Sequence, residues 1–219
     1  MPTTRIRRRP AQRVNRKLLP FFLTLLSLFG CSHVFYQPTT VEYITPQKLS
    51  IAYEELKFPS KDGTPLNGWF IPARGEKPRG TIVQFHGNAQ NISSHFLSLV
   101  WLVHQGYNVF TFDYRGYGKS PGVPAQNLVH EDAIAGLNKA HELWQVKGQG
   151  LFVVYGQSLG SIISLRALED WDQSKVDLIV QDSAFPSYKK IAFESLAKHW
   201  LTLILAPLGF LLVSDEYAS

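Results

Sequence analysis

The sequence predicts an α/β fold, a three-layer sandwich around a mostly parallel sheet, and three observations carry that prediction. Four short runs rich in β-branched and aromatic residues, "TIVQF" (81–85), "YNVFTF" (107–112), "LFVVY" (151–155) and "VDLIV" (176–180), suit strands buried on both faces. Segments with helical spacing separate them, at 92–105, 127–147 and 158–169. An alternating apolar and polar pair precedes them all, and strands that alternate with helices in this way form a parallel sheet with helices on its faces.

In chain order the first element is a leader, residues 1–30. A basic stretch carrying Arg5, Arg7, Arg8, Arg9, Arg13, Arg16 and Lys17 with no acid leads into the apolar "LLPFFLTLLSLF" from Leu18 to Phe29, then small Gly30 before Cys31. That is the order of an export signal, and its apolar part is too short to span a bilayer. The seven charges also explain the basic balance, because without them the net charge of +5 becomes −2. Nothing then points to nucleic acid as a partner of the folded part. At 219 residues and 45% apolar, the chain can bury one sizeable core.

Cys31 is the sole cysteine, so an intramolecular disulfide is impossible. "LFGC" resembles a bacterial lipobox, with Leu28 at −3, Gly30 at −1 and, as a departure, bulky Phe29 at −2. The resemblance implies lipidation of Cys31 and a lipid-anchored protein of the bacterial cell envelope. Ser32 in place of an aspartate favours the outer membrane, on its periplasmic side. An uncleaved signal anchor with an incidental cysteine is the other reading of the same residues. Residues 31–49 follow as a polar, proline-marked linker, and 50–219 as the folded domain.

From Ile51 the pattern "IAYEELKF" breaks at "PSKDGTP" and resumes at "LNGWFI", a hairpin with Asp62 and Gly63 in its turn. In the helix at 127–147, Val129, Ala133, Leu137, Ala140 and Trp144 share one stripe while Glu131, Asp132, Asn138 and Lys139 fall elsewhere, so one face packs on the sheet. Functional residues in such folds collect at the C-terminal edge of the sheet. Three of the four buried strands end there in distinctive loops: "HGNAQN", "DYRGYGKS" and "GQSLGS".

Gly156-Gln157-Ser158-Leu159-Gly160 fits the G-x-S-x-G nucleophile elbow, a strand-to-helix turn so tight that its neighbours must lack bulk. Ser158 is the candidate nucleophile, although a serine there also suits a simple helix N-cap. An oxyanion hole would take one backbone N–H from Leu159 and a second from Asn88 or its neighbour, in "HGN" at the end of the preceding buried strand. His86 reads as a structural histidine beneath that loop and not as a base. "Gly118-Lys119-Ser120" is no phosphate loop, since Asp113 stands where that motif needs glycine. Asp113 and Arg115 are expected to brace the glycine-rich loop together.

Taken together, "DGTPLNGWFIPA", "QFHGNAQN", "FDYRGYGKS", "YGQSLGS" and "DSAF" resemble the α/β-hydrolase superfamily, and within it the BEM46-like serine hydrolases related to the serine aminopeptidases. The resemblance covers about residues 50–219, with Ser161 where the family usually has a second glycine. It implies an acyl-enzyme on Ser158, hydrolysis of small-molecule carboxylic esters or amides, and no metal or organic cofactor. The family's acid and base normally follow strands seven and eight, and the expectation is a partial domain in which those strands are absent. Asp182, after the fourth buried run, is a secondary candidate for the acid, with a loop or lid contact as its other role. The general base is unknown: His199, the only histidine after Ser158, falls in a helical segment. On this count activity is expected to be weak or lost, and the alternative is a noncatalytic envelope lipoprotein on a degenerate hydrolase fold.

Overall fold

Six strands build the main sheet in the order β2-β3-β6-β4-β7-β8, and the hairpin forms its antiparallel side. In the computed structural model, residues 36–148 and 150–184 are described, with 187, 189, 190 and 193 beyond them. The elements are β1 (Gln37–Pro38), β2 (Glu54–Pro59), β3 (Pro65–Ile71), β4 (Gly80–Phe85), β5 (Ala89–Gln90), β6 (Tyr107–Phe112), β7 (Leu151–Gln157) and β8 (Leu178–Asp182), with helices α1 (Ile92–His95), α2 (Gln126–Lys147) and α3 (Leu159–Glu169). The chain divides into two compact units, Met1–Gly30 and Cys31–Ser219, and the first lies outside the described residues. So do Cys31 and His199.

The expected three layers are present because alternate strand residues face opposite ways. Val83 and Phe85 of β4, Phe110 and Phe112 of β6, and Phe152 and Val154 of β7 pack against α2 and α3. Ile82, Val109 and Val153 face the other way, onto Ile92, Phe96 and Val103. The three pairings β6-β4, β4-β7 and β7-β8 are all parallel. Their shared direction brings the loops after β4, β6 and β7 to one edge.

Three expectations need correction. Strands seven and eight are not absent: among the described residues eight strands are present, because the two-residue strands β1 and β5 form a separate parallel pair. Two residues are too short to show a period. The segment at 92–105 is not one α-helix but α1 followed by 3₁₀ turns at Phe96–Ser98 and Val100–Gln105. The carbonyl of His95 is diverted from the helical ladder, accepting from Gln84 Nε2 and from Ser98 Oγ, each at 2.9 Å. Finally, from Tyr36 onward the expected linker is bonded to the domain, as described below. Among the described residues β8 is the last strand of the sheet, and its Leu178, Ile179 and Val180 are exposed.

Candidate active site

Ser158 has φ 51 and ψ −115, a backbone conformation that a non-glycine residue adopts only where its surroundings enforce it. The two flanking glycines supply that enforcement. A Cβ at Gly160 would lie 2.0 Å from the carbonyl oxygen of Phe85 and 2.7 Å from that of His86, and one at Gly156 would lie 2.6 Å from both Ser161 Cα and Ser164 Oγ. The turn is pinned from outside as well, because Ser158 N–H donates to the Asp182 carbonyl at 2.8 Å. Ser161 takes the usual second glycine's place without crowding and donates its Oγ–H to the Gly156 carbonyl at 2.9 Å. Although Ser158 occupies the N-cap position of α3, its side chain makes no capping hydrogen bond. Its hydroxyl is left available for other chemistry.

The loop after β4 lies against this turn. A Cβ at Gly87 would stand 3.8 Å from Ser158 Cβ and 3.7 Å from the carbonyl of Gln157, so the expected donors at Leu159 and Asn88 belong to adjoining loops. Asn88 Oδ1 accepts from Gln37 N–H at 2.9 Å and from the Tyr117 hydroxyl at 3.1 Å. The next carbonyl, Ala89, accepts from His95 Nε2 at 2.7 Å, and His95 Nδ1 is 2.9 Å from Gln157 Oε1. His95 therefore ties the loop directly to the residue before Ser158. Sequence reading passed over Gln37 and His95; the one signal for His95 was its place in the "HGNAQNISSH" run.

Asp182, the secondary acid candidate, has both carboxylate oxygens engaged. Tyr155 Oη donates to Oδ2 at 2.8 Å and Ser183 Oγ to Oδ1 at 2.9 Å, and these bonds, Tyr155 first, hold the carboxyl below its usual pKa. Tyr155 is pushed up to about 12, by burial first and by this carboxylate second.

A family model described as serine aminopeptidase, S33, matches residues 76–214. The protein YfhR of Escherichia coli O157:H7 is 39% identical over 142 residues, covering 64% of this chain and 50% of that one. The bem46 protein of Schizosaccharomyces pombe is 29% identical over 147 residues, covering 66% and 48%. This is a BEM46-like member of the α/β-hydrolase family. The BEM46-like chain spans about half the length of these curated relatives. In fold it is similar to the Pyrococcus furiosus esterase Pf2001, with a TM-score of 0.62 at 23% identity over 83% of this chain and 70% of that one.

In this BEM46-like fold the loop after β6 is braced differently from expectation. Arg115 does not pair with Asp113. Its Nη2 donates to Asp132 Oδ1 at 2.7 Å and its Nη1 to Asp62 Oδ2 at 2.8 Å, while its backbone N–H also reaches Asp132, at 2.9 Å. The Arg115 guanidinium, by hydrogen bonding first, holds the Asp62 carboxyl far below its usual range. Asp113 instead sits buried under the loop after β4, accepting from Ile92 N–H at 2.9 Å and standing 3.8 Å from His86 Nε2. His86 fills the structural role expected of it: it is fully buried, donates Nδ1–H to the Gly87 carbonyl at 2.8 Å and packs on Tyr114 with ring centres 4.4 Å apart.

Burial acts on these two groups in opposite directions. It lowers His86 from 6.5 to about 3 and raises Asp113 from 3.8 to about 7, so neither carries a charge in mildly acidic solution. In that range the unfolded chain protonates His86 and the fold does not, so the histidine's contribution to stability grows as pH rises. Asp113 keeps a proton that the unfolded chain releases, so its contribution shrinks as pH rises. The two slopes oppose each other. Asp113→Asn is therefore expected to lose stability more steeply than the parent between about pH 6.5 and about pH 4. Urea midpoints measured across that range check this, and parallel profiles would count against the opposed pair.

Proposed function

We propose that this chain is a membrane-attached serine hydrolase that cleaves carboxylic esters or amides of small molecules through an acyl-enzyme on Ser158. The observation that carries the reading is the strained Ser158 backbone between two glycines that no larger residue could replace, with the side chain free of any capping bond. In the first step Ser158 Oγ bonds to the substrate carbonyl carbon, and the negative charge gathers on the carbonyl oxygen, where the N–H groups of Leu159 and Asn88 receive it. The carbon–oxygen or carbon–nitrogen bond to the leaving group then breaks, and the leaving group departs with the serine proton. Water hydrolyses the acyl-serine, releasing the acid and restoring Ser158. Attachment would run through acylated Cys31 in a bacterial envelope, facing the periplasm from the outer membrane; stable anchoring of this kind takes more than one acyl chain.

One experiment tests nucleophile and anchor together. A fluorophosphonate probe applied to cells is expected to label the chain in the membrane fraction, with the label abolished by Ser158→Ala and moved to the soluble fraction or to a slower-migrating precursor by Cys31→Ser. Absence of label on the parent would favour a noncatalytic envelope lipoprotein. Unchanged fractionation and mobility of Cys31→Ser would remove the lipid anchor from the reading.

A further inference from the structure

The first described residues form a strap across the loops that frame Ser158. Gln37 N–H donates to Asn88 Oδ1 at 2.9 Å, and β1 pairs Gln37 with Ala89 and Pro38 with Gln90. The Thr39 carbonyl accepts from Asn91 Nδ2 and from Gly118 N–H, each at 2.9 Å, and the Val41 carbonyl from the same Asn91 Nδ2 at 2.8 Å. Tyr43 N–H donates to Ser93 Oγ at 2.9 Å. Tyr36 anchors the near end by inserting its ring into the core between sheet and helices, where it is 1% exposed. Every one of these polar contacts lands on residues 88–93 or on Gly118.

The loop needs outside support. Gln90 has φ 69, a left-handed conformation uncommon outside glycine, and such conformations persist when neighbouring contacts over-determine them. The strap's contacts fall on Asn88, Ala89 and Asn91, on both sides of Gln90. Asn88 is also the residue whose backbone N–H the proposed mechanism aims at the developing oxyanion, and a donor set in place beforehand is worth far more than one that must be reoriented during reaction.

We propose that residues 36–43 are a positioning element of the oxyanion loop, acting chiefly through the Gln37 N–H on Asn88. Its consequence for turnover rests on the Ser158 reading; its hold on the loop does not. Gln37 is exposed, so the chemistry of its side chain matters little and the backbone donor matters most. Gln37→Pro removes that donor, whereas Gln37→Ala keeps it. Asn91→Asp attacks the strap from the other side: it retains the oxygen that caps Ser93 N–H at 2.9 Å but turns an oxygen, in place of Nδ2, toward the carbonyls of Thr39 and Val41.

The test is hydrogen exchange of the amides at 86–91 in the full chain, read beside the rate of fluorophosphonate labelling. Gln37→Pro and Asn91→Asp are each expected to speed exchange in this loop by about tenfold, the equivalent of roughly one lost hydrogen bond, and to slow labelling by a similar factor. Gln37→Ala is expected to match the parent in both. The proposal is overturned if exchange at 86–91 is unchanged in Gln37→Pro and Asn91→Asp, or if Gln37→Ala disturbs the loop as much as Gln37→Pro does. Should the parent take no label at Ser158, the hydrolase reading alone fails, and the exchange rates still decide whether the strap holds the loop.

Discussion

Asp132→Ala is expected to destabilise the fold by about 3–5 kcal/mol, the usual consequence of leaving a buried charge without its partner. Asp132 is fully buried and takes hydrogen bonds from Arg115 Nε, Nη2 and backbone N–H and from Ser60 Oγ. Arg115, itself 4% exposed, would keep only Asp62 and Ser60. Removing both charges together, as in Arg115→Met with Asp132→Leu, should recover most of the loss, because well-packed apolar groups often replace a buried ion pair at little cost. Urea denaturation of the parent, both single variants and the double variant measures this. A loss below about 1 kcal/mol for Asp132→Ala would mean that the pair behaves like a surface salt bridge.

Gly160→Ala is the second large effect, and it couples stability to chemistry. The new methyl would stand 2.0 Å from the Phe85 carbonyl, where ordinary contact begins at 3.4 Å, and the obstruction is backbone that no rotamer change can move aside. Either α3 lifts from the end of β4 or the loop carrying Asn88 shifts away from Ser158. Overpacking of this kind costs about 1–3 kcal/mol, and more where backbone is involved. The expected result is a fold weakened by about 3 kcal/mol in which Ser158 no longer takes a fluorophosphonate label. Ser161→Gly, one residue along, is the control: it removes the hydroxyl's bonds to the Gly156 and Asp182 carbonyls and one side chain from the same helix, and should cost about 1–2 kcal/mol while keeping the label. Normal stability and labelling in Gly160→Ala would show that the elbow accommodates a methyl group at this position.

What the residues announced beforehand follows from the range of each interaction. The strands β4, β6 and β7 declared themselves because β-rich runs between helical segments have no other economical packing, whereas the fourth run, expected to be buried on both faces, forms β8 with Leu178, Ile179 and Val180 exposed, since burial depends on neighbours that its own residues do not encode. The elbow declared itself because close approach admits only glycine at 156 and 160. Asp132 did not, since helical period places it off the apolar stripe of α2; its burial depends on a guanidinium seventeen positions away in sequence, on the loop after β6. Arg115 was likewise assigned to the wrong acid, because adjacency in sequence says little about which carboxylate a long side chain reaches. The strands β1 and β5 and the diverted His95 carbonyl rest on particular side-chain and backbone hydrogen bonds, which no periodicity encodes.

The strap also sets a length. Five residues separate Cys31 from Gln37, and an extended chain of that length spans at most about 20 Å from one to the other. With Cys31 acylated as proposed, the loop that Gln37 holds could never stray farther than that from the lipid surface. A short leash of this kind keeps an effective concentration of membrane surface around the loop on the millimolar scale or above. Encounter with an ester carried by the bilayer would then depend on lateral diffusion within the membrane, whereas an ester in bulk solution would gain nothing from the anchor.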